Sequence, residues 1–171
     1  MAYKRILLIS ADFVKKATTI HSNTDNGMLI PIIEDCQSLF IEKITGTKLL
    51  KELETQVDVG VITPLNTTLL NDHIIKTMLR WISAKNLRQN SYKMTNKGTV
   101  NMNGDNATTS SDKELIEQSQ DFLDRAEYYA QRTTLFLIEN EDDYPLYCDN
   151  DKIDEINPDR NQYDVGIYLD D

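Results

Sequence analysis

The sequence is poor in the residue types that most often announce chemistry. Its 171 residues include two cysteines, two histidines, one tryptophan, six glycines and four prolines. Cys36 and Cys148 stand apart, in no ligand-spaced cluster, so neither a disulfide framework nor a zinc site is expected, and a reduced, intracellular setting is. No apolar run approaches the roughly 20 residues that span a bilayer. The stretch 1–10 reads as a short basic-then-apolar strand without a small-residue cleavage site, so a soluble, unprocessed chain with no membrane partner is expected. Phosphate-cradling glycine loops are missing before every candidate helix, and Asn103-Gly104-Asp105 is a turn signal only. Basic residues are outnumbered, 18 against 28 acids for a net charge of −10, which argues against broad gripping of phosphate backbones.

What is present is unevenly spread. Residues 1–140 carry 17 acidic and 16 basic side chains, whereas residues 141–171 carry 11 and 2. The excess charge therefore belongs to the C-terminal end, and a domain spanning 1–140 followed by an acidic, extended arm at 141–171 is the expected organisation. That arm has Pro145, Pro158 and no helical apolar period. Tyrosines and aliphatic residues are interleaved with its acids, a composition that suits either a solvated tail or a segment that orders against a neighbouring subunit. Tyr163, Val165, Ile167, Tyr168 and Leu169 would suit an added strand or clamp.

The body reads as helical. Over 25–44, Ile30, Ile33, Phe40 and Ile44 recur at helical spacing, with Asp25 as cap and Gly46 as left-handed stop. Pro31 sits too deep for a first turn, so the helix either starts near Leu29 or has a separate, kinked first turn. A short helix over 47–54 follows, with Leu49, Leu50 and Leu53. Thr63-Pro64 opens a long core helix reaching about residue 89, marked by Leu65, Leu69, Ile74, Met78, Trp81 and Ile82. Ser111 with Glu114 forms a capping-box pattern for a third helix to about 139, striped by Leu115, Phe122, Ala126, Tyr129 and Phe136. Amphipathic helices of this kind need one another's faces, and a mainly α, antiparallel bundle of three main helices plus a short one is expected.

Residues 91–110 form a long insertion rich in Asn, Thr, Ser and Gly. Within it Tyr92, Lys93 and Met94 and then Thr99, Val100 and Asn101 flank Thr95, Asn96, Lys97 and Gly98, which predicts a β-hairpin whose turn has positive φ at Asn96 or Gly98. A hairpin alone is marginal in water, so this one is expected to pack on another subunit.

Candidate chemistry is thin. Asp72 and His73 are adjacent on a helix and do not face each other, and neither His73 nor His21 has a marked nucleophile nearby. Cys36 lies on a helix face where a buried thiol is the ordinary reading. Asp149-Asn150-Asp151 with Asp154 and Glu155 imitates a calcium loop, but Ile153 and Asp154 occupy the positions that need an oxygen ligand and a glycine. Lys76, Arg80, Lys85 and Arg88 read as a solvated face, diluted by Asp72, and not as a nucleic-acid groove. No enzyme activity, no cofactor and no metal are expected.

Four elements together carry a resemblance: the apolar stretch 3–10, the run Leu29-Ile30-Pro31-Ile32-Ile33-Glu34-Asp35-Cys36-Gln37, the run Ile44-Thr45-Gly46-Thr47-Lys48-Leu49, and Tyr92-Lys93-Met94-Thr95-Asn96-Lys97-Gly98. Over roughly residues 1–140 the chain resembles the head-tail connector, or portal-adaptor, proteins of tailed bacteriophages, most closely those of crAss-like phages of Bacteroidales. The resemblance implies a virion protein that forms a ring, a dodecamer under a dodecameric portal, joining capsid to tail and letting DNA pass without specific binding. It also implies that Tyr92, Lys93, Thr95, Asn96, Lys97 and Gly98 serve as an inter-subunit or inter-ring element, with portal and other neck or tail rings as partners. The alternative is a small non-enzymatic helical adaptor, or a regulatory protein whose acidic tail mimics nucleic acid.

Overall fold

A computed structural model gives the structure of residues 6–90, 92–95, 98–101 and 112–160, with the backbone alone at 90, 92–95, 98–101 and 112. The chain is mainly helical. The strand expected over 1–10 is not found in its described part: Ile6 to Ser10 form no strand, and the chain bends at Leu8 and Ile9. Leu8 and Ile9 are buried there, and one side chain pairs two of the backbone groups. Gln37 accepts the Leu8 N–H at 3.0 Å and donates to the Ile6 carbonyl at 3.0 Å, so an amide stands where a neighbouring strand would. Ser10 then caps a helix that the apolar pattern did not announce, α1 (Ala11–Ala17), its Oγ accepting the Phe13 N–H.

Asp25 caps α2 (Asn26–Cys36), which runs without a break through a π-helical turn (Gln37–Ile41) into α3 (Glu42–Thr45). Pro31 is inside α2, so the helix starts at Asp25 and not near Leu29; its ring removes one N–H and the intrahelical bond that group would make. The buried stripe is Leu29, Ile32, Ile33 and Cys36, while Ile30 faces out. An unbroken apolar run leaves the phase of a helix undetermined, which is why Ile30 was misplaced.

Helix α4 (Thr47–Val59) is longer than the expected 47–54 and stops at Gly60, whose φ of 75° and ψ of 17° are left-handed. Thr63 caps α5 (Pro64–Thr68), continuous through a second π-helical turn (Leu69–Ile74) with α6 (Ile75–Asn90). Next come β1 (Tyr92–Thr95) and β2 (Gly98–Asn101), paired antiparallel with Tyr92 opposite Asn101 and Thr95 opposite Gly98. The strands thus take in Thr95 and Gly98, the outer residues of the expected turn, while residues 96 and 97 lie outside the described residues, as does Ser111 of the expected capping box.

The last helix, α7 (Asp112–Glu139), lies along α6, with α2 on α6, α3 on α7 and α1 on α2. Small side chains let α6 and α7 approach: Ala84, Ser119 and Ala126 are buried, Ser119 reaches the Ala84 carbonyl, and the hydroxyls of Thr77 and Thr133 meet at 3.4 Å. A core of Leu29, Ile33, Leu53, Leu69, Ile74, Met78, Ile82 and Leu137 fills the space between the helices.

Apolar burial does not end with α7. After a 3₁₀ turn (Glu141–Asp143), Tyr144 and Tyr147 enter the core, and Tyr147 is fully buried. The described part of the acidic end, 141–160, thus supplies two aromatic rings to the interior of its own chain.

Candidate functional site

The acidic end is held at the start of α4. A helix leaves its first N–H groups without intrahelical partners, and Gly46, the residue before α4, has no side chain to offer them. Asn150 supplies the cap from across the chain: its Oδ1 accepts the Lys48 N–H at 3.0 Å while its amide donates to the Tyr147 carbonyl. The Thr47 N–H donates to the Ile156 carbonyl at 3.1 Å, and the Ile156 N–H returns a bond to the Thr47 hydroxyl at 2.8 Å. Gly46 makes this approach feasible. Its φ of 75° and ψ of 163° disfavour a side chain, and a Cβ would sit 2.6 Å from Asn150 Nδ2 and 3.1 Å from Pro158 Cδ. The expected left-handed stop at Gly46 is corrected accordingly, since ψ is extended there.

Around this knot three acids gather on one lysine. Lys48 Nζ lies 3.0 Å from Asp149, 2.9 Å from Asp151 and 3.8 Å from Glu155. Bonds to Asp151 and Asp149 hold the Lys48 ammonium above the usual lysine range, and the same contact holds Asp151 below the usual carboxylate range. The segment that imitates a calcium loop thus closes on a protein ammonium. Among the described residues no group of three or more His, Cys, Asp or Glu is arranged to hold a metal ion. Further along, Arg160 donates to both carboxylate oxygens of Glu141 and lies over the Tyr147 ring.

A groove of about 520 Å³ lies between α3, α6 and α7. Phe40 and Trp81 stack at its floor with centroids 4.4 Å apart, and Ile44, Leu123, Ala130 and Leu135 continue the apolar surface. Lys43, Lys85, Glu127 and Asp159 form the rim, Lys85 lying 5.6 Å from the Phe40 centroid. A smaller hollow gathers Asp72, His73, Lys76, Tyr129 and Arg132. There His73 stacks on Phe136 at 4.1 Å, and burial lowers its pKa. Cys36 has its thiol pushed up to about 12 by burial, which leaves no thiolate for nucleophilic work.

Of the residues singled out from sequence, Tyr92, Lys93, Thr95 and Gly98 come together on the paired strands β1 and β2, next to α6. Asn96, Lys97, Tyr163, Val165, Ile167, Tyr168 and Leu169 lie outside the described residues. Sequence reasoning missed Lys48, Asn150 and the Phe40–Trp81 floor. The signal for the first two was a helix start without a capping side chain, Gly46-Thr47-Lys48, and an Asn-centred acidic triplet with no partner of its own.

Among the described residues no helix is long and apolar enough to cross a membrane. Residues 41–157 match the model of a family of unknown function, DUF6712, a span that takes in both partners of the Gly46–Asn150 knot. No curated protein and no solved structure matches the chain.

Proposed function

We propose, from the premise that the chain belongs to the DUF6712 family of unknown function, that it is a structural protein of a tailed-phage virion. In this reading copies of the chain form a ring at the neck, joining portal and capsid to the tail and letting DNA through. The protomer is a helical bundle with a projecting hairpin. Its assembly elements are the hairpin (Tyr92, Lys93, Thr95, Asn96, Lys97, Gly98) and the end of the acidic arm (Tyr163, Val165, Ile167, Tyr168, Leu169).

The observation that carries the reading is that the motifs behind the connector resemblance are architectural. The run 44–49 is the turn locked by Asn150 and Ile156, and the run 92–98 carries β1. Two further features support it. A head-to-tail ring needs two different patches per subunit, and the α4–α5 connection offers one, with Val59, Val61, Ile62 and Leu65 all exposed. An excess of acids suits a lumen through which DNA slides, because it repels phosphate. The competing reading, a regulator whose acidic tail mimics nucleic acid, is less well supported, since Asp149, Asp151 and Glu155 are engaged with Lys48.

The test is negative-stain imaging of the purified chain alone and with its portal protein. Rings of portal symmetry on the portal face are expected; a chain that stays monomeric and leaves the portal bare sinks the proposal.

A further inference from the structure

The groove lined by Phe40, Trp81, Leu123, Ala130 and Leu135 is an open apolar recess among the described residues. Leu135 in it is 46% exposed. The described chain ends at its edge. Asp159 is part of the rim, pinned there by its N–H donating to the Lys43 carbonyl at 2.6 Å, and eleven residues follow Arg160.

Those residues match the groove in three respects. Tyr163, Val165, Ile167 and Leu169 alternate with Asp164, Gly166, Tyr168 and Asp170, so an extended segment would present four apolar side chains on one face. From Leu123 to Leu135, α7 rises about 18 Å; from 163 to 169 an extended chain covers about 20 Å. Asp164, Asp170 and Asp171 would meet a rim whose two cations, Lys43 and Lys85, make no ion pair among the described residues, the rim acids being Glu127 and Asp159.

We propose that in the unassembled protein the groove is covered in cis by the chain's own residues 163–169, running along α7 from Leu135 towards Leu123. The segment assigned above to assembly is then stored on the subunit before it meets a neighbour. This goes beyond the ring reading and does not depend on it. A tether of about three residues holds the segment at an effective concentration on the order of mM, so cover is intramolecular at ordinary dilution.

Trp81 is the chain's one tryptophan and lies in the groove floor, which makes it the reporter. In the free protein, deletion of 161–171, which removes no described contact, is expected to shift its emission to longer wavelength and raise acrylamide quenching. A peptide of residues 161–171 in excess is expected to reverse both. The full-length double variant Val165→Asp and Ile167→Asp is expected to reproduce the deletion, guarding against an effect of shortening. Emission of the intact chain is expected not to change on dilution. Unchanged emission in the deletion and the double variant overturns the proposal. A shift that appears on dilution of the intact chain overturns it too, by showing that a second copy supplies the cover. Failure to form rings on the portal leaves these readouts untouched and counts only against the neck-ring reading.

Discussion

The two stretches that flank the α-helices, 6–10 and 141–160, are held to the same helical body by different chemistry. The N-terminal one is fastened by a neutral amide, Gln37, that reproduces two strand hydrogen bonds over buried Leu8 and Ile9. The C-terminal one is fastened by a helix start, with Asn150 and Ile156 capping α4 and a lysine ringed by acids. Both solve the problem of backbone groups that lack a repeating partner. Only the second relies on charge, with Glu141, Asp149, Asp151 and Glu155 each paired with a lysine or arginine.

The comparison breaks most severely at Gly46. Gly46→Val forces a side chain into a positive φ, costing about 1–2 kcal/mol, and displaces the Asn150 cap, costing about 1–2 more. The expected sum of about 3 kcal/mol lowers the thermal midpoint by roughly 10 °C for a chain of this length, as read by calorimetry. Next come the two fasteners themselves. Gln37→Ala orphans the Leu8 N–H and the Ile6 carbonyl and is expected to cost about 2 kcal/mol. Asn150→Ala removes a cap worth about 1 kcal/mol. Denaturant titration of both and of the double variant is expected to give additive costs within about 0.5 kcal/mol; stronger coupling would show that the two ends communicate through α4.

Acid sharpens the contrast, because the two ends have opposite signs. Asp151, bonded by Lys48, and Glu141, bonded by Cys148 and Arg160, are held below the usual carboxylate range. Their contribution is present above the unfolded-state pKa and is lost as pH falls through the folded one. Glu54, beside Gln37, is pushed up by burial. Its protonated form is favoured in the fold, so the N-terminal end gains as pH falls and loses as pH rises through the folded pKa. Amide exchange is expected to show weakening protection at Lys48 and Ile156, and none at Leu8, on acidification from neutrality through the carboxylate range. The smallest effect belongs to Lys48→Met: a slight loss of stability that disappears at high salt, as for other exposed ion pairs.

Local features of the fold were legible and distant ones were not. Asp25 and Thr63 could be read as caps because a capping side chain and the N–H it satisfies lie two or three residues apart. The stripes of α6 and α7 were visible because apolar period is a local property. Helix α1 escaped because only Ala11 and Val14 of it are buried, too few to make a stripe. The strand expected near residue 6 failed because an apolar run records burial but not the partner of its backbone, here a glutamine about thirty positions on. The Lys48 contacts span about a hundred residues and have no local trace. The groove was hidden for a related reason: Phe40 and Trp81 each read as core of a different helix, Leu123 was in no stripe, and only their juxtaposition leaves an apolar surface uncovered.

The π-helical turns at Gln37–Ile41 and Leu69–Ile74 have a consequence of another kind. A turn closed by an i→i+5 bond holds one residue more than an α turn. The helix beyond it therefore keeps the face it would have in a chain one residue shorter. In the first turn Leu39 is 56% exposed. These two turns are where related chains are expected to differ by a single insertion or deletion without rotating α3 or α6, so an alignment of the family should place its one-residue gaps there.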